Sequence, residues 1–224
     1  MTLELLQNIY GIGPKLAQQL YKKIPKKSYT KKQLYDFLSK SKIFKNLPIA
    51  SQHDILYRPT PVPWYVIDEI NTIMTKYVRG IKFKICGSYR RHKEICKDID
   101  LVINKGRREN VWRDFINMLR NTPITFMEPY AEGTDKIGCL IAFNDYIIRM
   151  DIFITTSASW AYTILYATGS KQFNIVMRAH AKNKNMLLNR TCLNHGGVCL
   201  PANTEKQIFY LVGMDYVSPP LRDL

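Results

Sequence analysis

The apolar positions of this chain change period several times, and each change marks an element. Leu5, Leu6 and Ile9 recur at helical spacing and stop at Gly11-Ile12-Gly13-Pro14, after which Leu16 and Leu20 resume it. Pro14 falls in a helical first turn, where its missing N–H has no partner to lose. Residues 3 to about 57 therefore predict helices, opening with a helix, a glycine hairpin and a second helix. Arg58-Pro59-Thr60-Pro61-Val62-Pro63 is the strongest break in the pattern and the expected boundary. Beyond it Val66, Ile70, Ile73 and Tyr77 form one helical stripe. Ile81, Phe83 and Ile85 then alternate with lysines, a strand pattern, and lead into Gly87-Ser88. A strand over 98–103 and a helix over about 111–120 follow. Next come a hairpin of 140–143 and 146–154 turning at Asn144-Asp145, and two helices, 159–166 and 171–185, broken by Thr168-Gly169-Ser170. Helices, then helices mixed with strands, then helices again predict an α+β protein in three parts, 1–60, 61–156 and 157–224.

The polar residues that interrupt the strands carry the chemistry. Asp98 and Asp100 alternate along one strand, so their carboxylates share a face, roughly 7 Å apart along the chain. That spacing suits two divalent metals at the ~3.5–4 Å separation used in phosphoryl chemistry. Gly87-Ser88 upstream offers backbone N–H groups and a hydroxyl to phosphate oxygens. A metal pair and a phosphate cradle within fourteen residues point to nucleotidyl transfer. Such chemistry calls for a third carboxylate on a neighbouring strand, and Asp151 interrupts the otherwise apolar stretch Ile147 to Phe153. A salt bridge to Arg149, two residues away on the same face, is the plainer explanation for a lone acid; with Asp98 and Asp100 present, the metal is favoured. Asp135 and Asp145 sit in turn-like contexts and are weaker candidates.

Charge narrows the partner. The chain has 33 Lys and Arg against 18 Asp and Glu, a net charge of +15, which suits a polyanion such as nucleic acid. Lys22, Lys23, Lys26, Lys27, Lys31 and Lys32 place six lysines in eleven residues. Such a run is as often a solvated face as a binding surface, but here it follows Gly11, Gly13 and Lys15. Glycines let a backbone approach a phosphate, and the free N–H groups of the next helix face it, so the hairpin predicts a helix-hairpin-helix grip on a DNA backbone. If about six lysines meet phosphates, affinity should fall roughly a thousandfold or more between low and physiological salt. Five cysteines, Cys86, Cys96, Cys139, Cys192 and Cys199, form no CxxC pair. Their odd count and scatter argue for reduced thiols and against a zinc ribbon; Cys86 and Cys96 flank the motif and could bridge only under oxidation. Apolar runs fall short of the ~20 residues that span a bilayer, and the N-terminus lacks the pattern of a secretory signal. A soluble intracellular protein is expected.

With these motifs in order, the chain resembles a family X DNA polymerase, the class of polymerase β, from near Leu5 to Pro220. Gly11-Ile12-Gly13-Pro14-Lys15 resembles the family's helix-hairpin-helix, and Gly87-Ser88-Tyr89-Arg90-Arg91 stands at the family's distance from Asp98-Ile99-Asp100. Arg149-Met150-Asp151 resembles the strand with the third carboxylate. Tyr166 to Asn174, then Met177-Arg178-Ala179-His180, resembles the nucleotide-binding turn and helix, and Glu205 to Phe209 with Tyr216 and Pro219 the C-terminal ending. The resemblance implies a polymerase β-like nucleotidyltransferase palm between an N-terminal helix-hairpin-helix subdomain and a C-terminal subdomain that binds the nascent base pair.

It also implies roles. Asp98 and Asp100 would bind two Mg²⁺, with Mn²⁺ as a substitute, and Asp151 only the catalytic ion. Gly87, Ser88, Arg91 and backbone near Lys97 would hold the triphosphate. Tyr166 and Gly169 would line the sugar. Asn174 would meet the nascent base pair and Arg178 the template, both on the minor-groove side, a reading the motif match favours over an exposed helix polar residue and an ordinary surface arginine. Arg149 would lie near the primer terminus, and Gly11, Gly13 and Lys15 on the DNA backbone. The carbonyls of Gln7, Ile9 and Ile12 would coordinate Na⁺ or K⁺. Ala167 stands where the family has an aromatic residue, Phe153 where it has an arginine and Lys171 where an acid is common.

The implied activity is gap-filling, DNA-directed DNA synthesis in base excision repair, by a monomer acting on gapped or nicked duplex with dNTPs and alongside a DNA ligase. Because the hairpin lies at the start of the sequence, the family's 5′ deoxyribose phosphate lyase domain is expected to be absent. Small polymerases of large DNA viruses share that plan, so the expected location is nucleus or cytoplasm, or a viral factory or virion for a viral chain. Two rivals stand beside this reading: a template-independent nucleotidyltransferase on the same fold, and a non-catalytic DNA-binding repair module.

Overall fold

The computed structural model describes residues 2–25 and 28–223. It divides into two compact units, Met1–Pro59 and Thr60–Leu224.

The first unit is helical: α1 (Thr2–Gln7), α2 (Pro14–Lys23), α3 (Lys31–Lys40) and α4 (Ile49–Tyr57). Its core takes one face of each helix, with Leu6 from α1, Ala17 and Leu20 from α2, Leu34 and Leu38 from α3 and Ile55 from α4, joined by Ile9 and Ile12 of the hairpin. Gly11 adopts φ +84°, a left-handed turn. A side chain there would meet Ser51 Oγ at 2.8 Å. α3 is fixed at its start by Thr30 and Gln33, each side chain accepting from the other's backbone N–H. Buried Asp54 accepts from the Tyr35 hydroxyl at 2.8 Å. Lys22 and Lys23 end α2 and Lys31 and Lys32 begin α3, all exposed, while Lys26 and Lys27 lie outside the described residues.

The second unit is built on a sheet. Its elements run β1 (Val62–Pro63), α5 (Trp64–Tyr77), β2 (Phe83–Ile85), α6 (Gly87–Arg90), β3 (Ile95–Cys96), β4 (Asp98–Asn104), α7 (Val111–Met118), β5 (Thr125–Phe126), β6 (Ala131–Glu132), β7 (Lys136–Phe143) and β8 (Tyr146–Thr155). Then follow α8 (Trp160–Thr168), α9 (Lys171–Asn183), β9 (Met186–Leu188), β10 (Leu193–His195), β11 (Val198–Leu200) and α10 (Glu205–Val212). The main sheet has the order β2-β4-β8-β7-β5, with β6 also on β7. Within it β4 and β8 are parallel and the other pairs antiparallel.

The period-2 alternation divides the two faces of this sheet. Ile99, Leu101 and Ile103 of β4 and Ile148, Met150 and Ile152 of β8 point into the large core, beneath α5 and α7. The opposite face carries Asp98 and Asp100 on β4 and Arg149 and Asp151 on β8, and ends in Val102 and Phe153 against Ile164 and Ala167 of α8. α8, α9 and α10 enclose a third core with Phe173, Met177, Leu193, Ile208 and Phe209.

Three sequence expectations change. The buried stripe of α5 is Val66, Ile67, Ile70 and Met74, and Tyr77 is exposed. Its ring lies beside the Lys76 ammonium, 5.4 Å from the ring centroid, a position a large aromatic tolerates in water. The second change is that not all the thiols are reduced: Cys192 and Cys199 form a disulfide, their Cα atoms 5.6 Å apart. The β10–β11 hairpin brings together residues whose sequence spacing gave no sign of a pair. Cys86, Cys96 and Cys139 remain free and buried; burial pushes the Cys86 and Cys139 thiols up to about 12. The third change is the 186–200 region, which carries a three-stranded sheet, β11-β10-β9, that the mixed tail pattern concealed. No helix among the described residues is long and apolar enough to cross a membrane.

Candidate active site

The register of the parallel pair builds the site. Asp100 on β4 stands opposite Asp151 on β8, and Asp98 opposite Arg149. Three acids on one face repel each other, and burial adds to this. The Asp100 carboxyl is pushed up to about 8, first by burial and then by Asp98 and Asp151, against the pull of Lys136 and Arg91. Asp98 is also raised, by burial and Asp151, with Arg149 opposing.

α6 closes over the acids. Cys86 N–H donates to the Asp100 carbonyl at 2.7 Å, and Gly87 turns with φ +59°. A Cβ on Gly87 would lie 2.1 Å from Asp100 Oδ2, so only glycine admits this approach. The next residue, Ser88, has its hydroxyl oxygen buried with no hydrogen-bond partner among the described residues.

A cavity of about 590 Å³ opens beside Asp100 and Asp151. Arg91 lines it, held by Nε to Asp223 at 2.9 Å and by Nη1 to the Thr168 carbonyl. Gly169, at φ +66°, lets Arg91 close in; a Cβ there would stand 3.3 Å from Arg91 Nη1. Tyr166, Asn174 and Arg178 form the far wall. Asn174 Nδ2 donates to the Tyr166 carbonyl at 2.9 Å, and the Arg178 guanidinium stands 5.7 Å from the Tyr166 ring centre. Phe153 meets Tyr166 edge to face at 5.8 Å. A slightly larger cavity, about 610 Å³, lies between α5, β2 and α6 and carries no acid.

The structure thus gathers Asp100, Asp151, Arg91, Tyr166, Gly169, Asn174 and Arg178 around one cavity. Asp98, Gly87, Ser88 and Arg149 stand next to it through the register and α6, while Lys97 is exposed between β3 and β4. The hairpin residues lie in the other unit. There Gly13 caps α2 with Pro14 behind it, Lys15 and Gln7 are exposed, and Ile9 and Ile12 bury their side chains while the Ile9 carbonyl accepts from Ile12 N–H at 3.0 Å.

Several residues escaped the sequence reading. Asp151 has a partner the sequence did not suggest, Lys136 Nζ, at 2.8 Å. Lys136 is reachable only through the β7–β8 register, where it faces Phe153 and lies diagonal to Asp151. Glu205 takes Arg90 on one side and Arg222 on the other, the latter at 2.7 Å. Arg222 is fully buried, with its guanidinium 5.4 Å from Phe173 and 5.3 Å from Phe209. This network ties α6 to α10 and the C-terminal segment; the Arg90-Arg91 tandem was its signal, but nothing local says which arginine is structural.

Hard oxygen donors in a repelling cluster suit a divalent cation, and the raised Asp100 and unpartnered Ser88 hydroxyl fit one with attached phosphates. Among the described residues, no three His, Cys, Asp or Glu side chains already stand in a ligating group. Asp151 is engaged by Lys136 instead.

Acids paired across parallel strands on the open face of a sheet stand beside a basic, glycine-lined cavity. The family model described as DNA polymerase beta palm matches residues 64–140, and that described as DNA polymerase beta thumb matches 163–223, together more than half of the chain. DNA polymerase lambda of Rattus norvegicus is 28% identical over 247 residues, covering 99% of this chain and 42% of that protein. Repair DNA polymerase X of African swine fever virus is 28% identical over 138 residues, 61% of this chain and 78% of its own. A DNA nucleotidylexotransferase of Gallus gallus is 39% identical over 186 residues, 66% of this chain and 37% of its own. Polymerase beta of Leishmania infantum, solved as a ternary P/T complex, shares the fold with a TM-score of 0.80 at 21% identity, covering 100% of this chain and 99% of that one. The chain spans less than half the length of the lambda polymerase and the nucleotidylexotransferase. It belongs to the family X DNA polymerases, the polymerase β group.

Proposed function

We propose that this chain is a DNA-directed DNA polymerase that fills short gaps by two-metal nucleotidyl transfer. One observation carries the reading: Asp100 and Asp151 are opposed across parallel strands at the mouth of a cavity whose other walls are Arg91, Tyr166, Gly169 and Asn174.

The primer 3′ hydroxyl attacks the α-phosphate in line and pyrophosphate leaves. Asp98 and Asp100 would hold both divalent ions and Asp151 the catalytic one, and such ions would supply charge stabilisation of the attacking and leaving oxygens. Arg91, oriented by Asp223 and Thr168, gives charge-assisted hydrogen bonds to the triphosphate, and Ser88 supplies its unused hydroxyl. Tyr166 and Gly169 face the sugar, Asn174 and Arg178 the minor-groove side of the base pair. Arg149, opposite Asp98, serves the primer end. Gly11, Gly13 and Lys15 take the DNA backbone, with Gln7, Ile9 and Ile12 offering carbonyls to a monovalent cation. The division 1–60, 61–156 and 157–224 assigns these tasks to DNA grip, catalysis and base-pair recognition. A DNA ligase is the partner the product calls for.

The test is extension of a primer across a one-nucleotide gap with Mg²⁺ and each dNTP singly, for the wild type and Asp100→Ala. Addition of the templated nucleotide alone, lost in the variant, supports the reading. A second reading, template-independent addition, is favoured by Ala167 in place of an aromatic and by the likeness to a nucleotidylexotransferase. It predicts addition that ignores the template base.

A further inference from the structure

We propose that Lys136 is a built-in counter-cation of the Asp151 carboxylate that must leave before the catalytic metal can bind, and so sets the affinity of that metal. The inference rests on the two-metal reading and deepens it.

Geometry singles out Lys136. It sits on β7 facing Phe153, and Gly138 is the β7 residue directly opposite Asp151. The Tyr130 ring packs over Gly138, where a Cβ would meet it at 2.4 Å, and from the diagonal position Lys136 Nζ reaches Asp151 Oδ2 at 2.8 Å. Diagonal cross-strand neighbours lie within reach of a long side chain. Both residues line the cavity that holds Asp100 and Arg91. An ammonium held against the carboxylate repels a divalent ion at the same group, so the two compete.

Lys136 is also able to leave. Its side chain is 45% exposed against 22% for Asp151, so it can swing into water without stranding a buried charge. In the paired position Nζ also lies 5.3 Å from the Phe153 ring centre, within cation–π range, and the Arg190 guanidinium approaches the same ring at 5.7 Å. The nearby cation on β8, Arg149, is in register with Asp98. The pair is therefore a loose cap, weak enough to yield to metal and present whenever metal is absent.

The test reads metal binding without turnover. Mn²⁺ is titrated into the full chain, without DNA or nucleotide, and free Mn²⁺ is followed by electron paramagnetic resonance. Lys136→Met should bind Mn²⁺ about fivefold more tightly, the worth of a partly exposed ion pair. Lys136→Arg keeps the charge and should bind no more tightly than the wild type. Circular dichroism of each variant guards against misfolding. Unchanged or weaker binding by Lys136→Met overturns the proposal, as does equal tightening by the arginine variant. Asp151→Asn separates this from the parent reading: if it leaves Mn²⁺ binding untouched, the metal assignment of Asp151 fails; if it weakens binding while Lys136→Met does nothing, only the inference about Lys136 fails.

Discussion

Asp100→Asn removes one negative charge from the acidic cluster without changing the shape that fits against Gly87. In the folded chain the Asp100 carboxyl is pushed from 3.8 up to about 8, by burial first and by Asp98 and Asp151 next. Between these values the folded state holds a proton that the unfolded state has released, so folded stability falls as pH rises. Each unit costs at most about 1.4 kcal/mol, so the limit from pH 5 to pH 8 is about 4 kcal/mol. Asp98, also raised, shares the titration, and half that limit, about 2 kcal/mol, is the expected outcome. The assay is urea unfolding in EDTA, followed by tryptophan fluorescence. All three tryptophans, Trp64, Trp112 and Trp160, belong to the second unit, so the signal reports on the sheet alone. From pH 5 to pH 8 the wild type should lose about 2 kcal/mol relative to Asp100→Asn. Mg²⁺ at pH 8 should restore the wild type by mass action and leave the variant little changed. Parallel stability profiles for the two proteins would refute the idea that these acids repel in a shared buried cluster.

Other perturbations have similarly direct readouts. Gly87→Ala places a methyl 2.1 Å from Asp100 Oδ2 in a left-handed backbone; about 1–3 kcal/mol of stability and most primer extension should be lost, measured on the same folded sample. Glu205→Ala strands Arg90 and the fully buried Arg222, and should cost about 3–5 kcal/mol in urea unfolding. Cys199→Ser opens the hairpin loop to Cys192; the wild type should exceed it by no more than about 2.5 kcal/mol, and dithiothreitol should abolish that difference.

How legible the fold was depended on whether each signal was local. β4 and β8 announced themselves by alternation, and the alternation is also what separates their acids from their core residues, so Asp98, Asp100 and Asp151 could be grouped before any coordinates existed. Gly87 stood out in the sequence as part of a phosphate cradle, but its close packing on Asp100 Oδ2 did not show there. What stayed hidden was pairing across distance. The Cys192–Cys199 disulfide depends on a hairpin formed by short, half-polar strands whose pattern is too brief to read. α5 showed its helical period, but the stripe of Val66, Ile70, Ile73 and Tyr77 ends on an exposed residue, Tyr77.

The partner of Asp151 exposes the deeper reason. Arg149 is the obvious candidate in sequence, two residues away on the same face, yet neighbours at that spacing stand about 7 Å apart along a strand. Lys136 is fifteen residues away but only one diagonal step across the β7–β8 register. A sheet brings cross-strand neighbours closer than next-but-one residues of the same strand. A charge on β8 is therefore answered first from β7 and β4. On β4 stands Asp100, another acid; on β7 stand Gly138, which has no side chain, and Lys136. In the described structure that remaining neighbour pairs with Asp151.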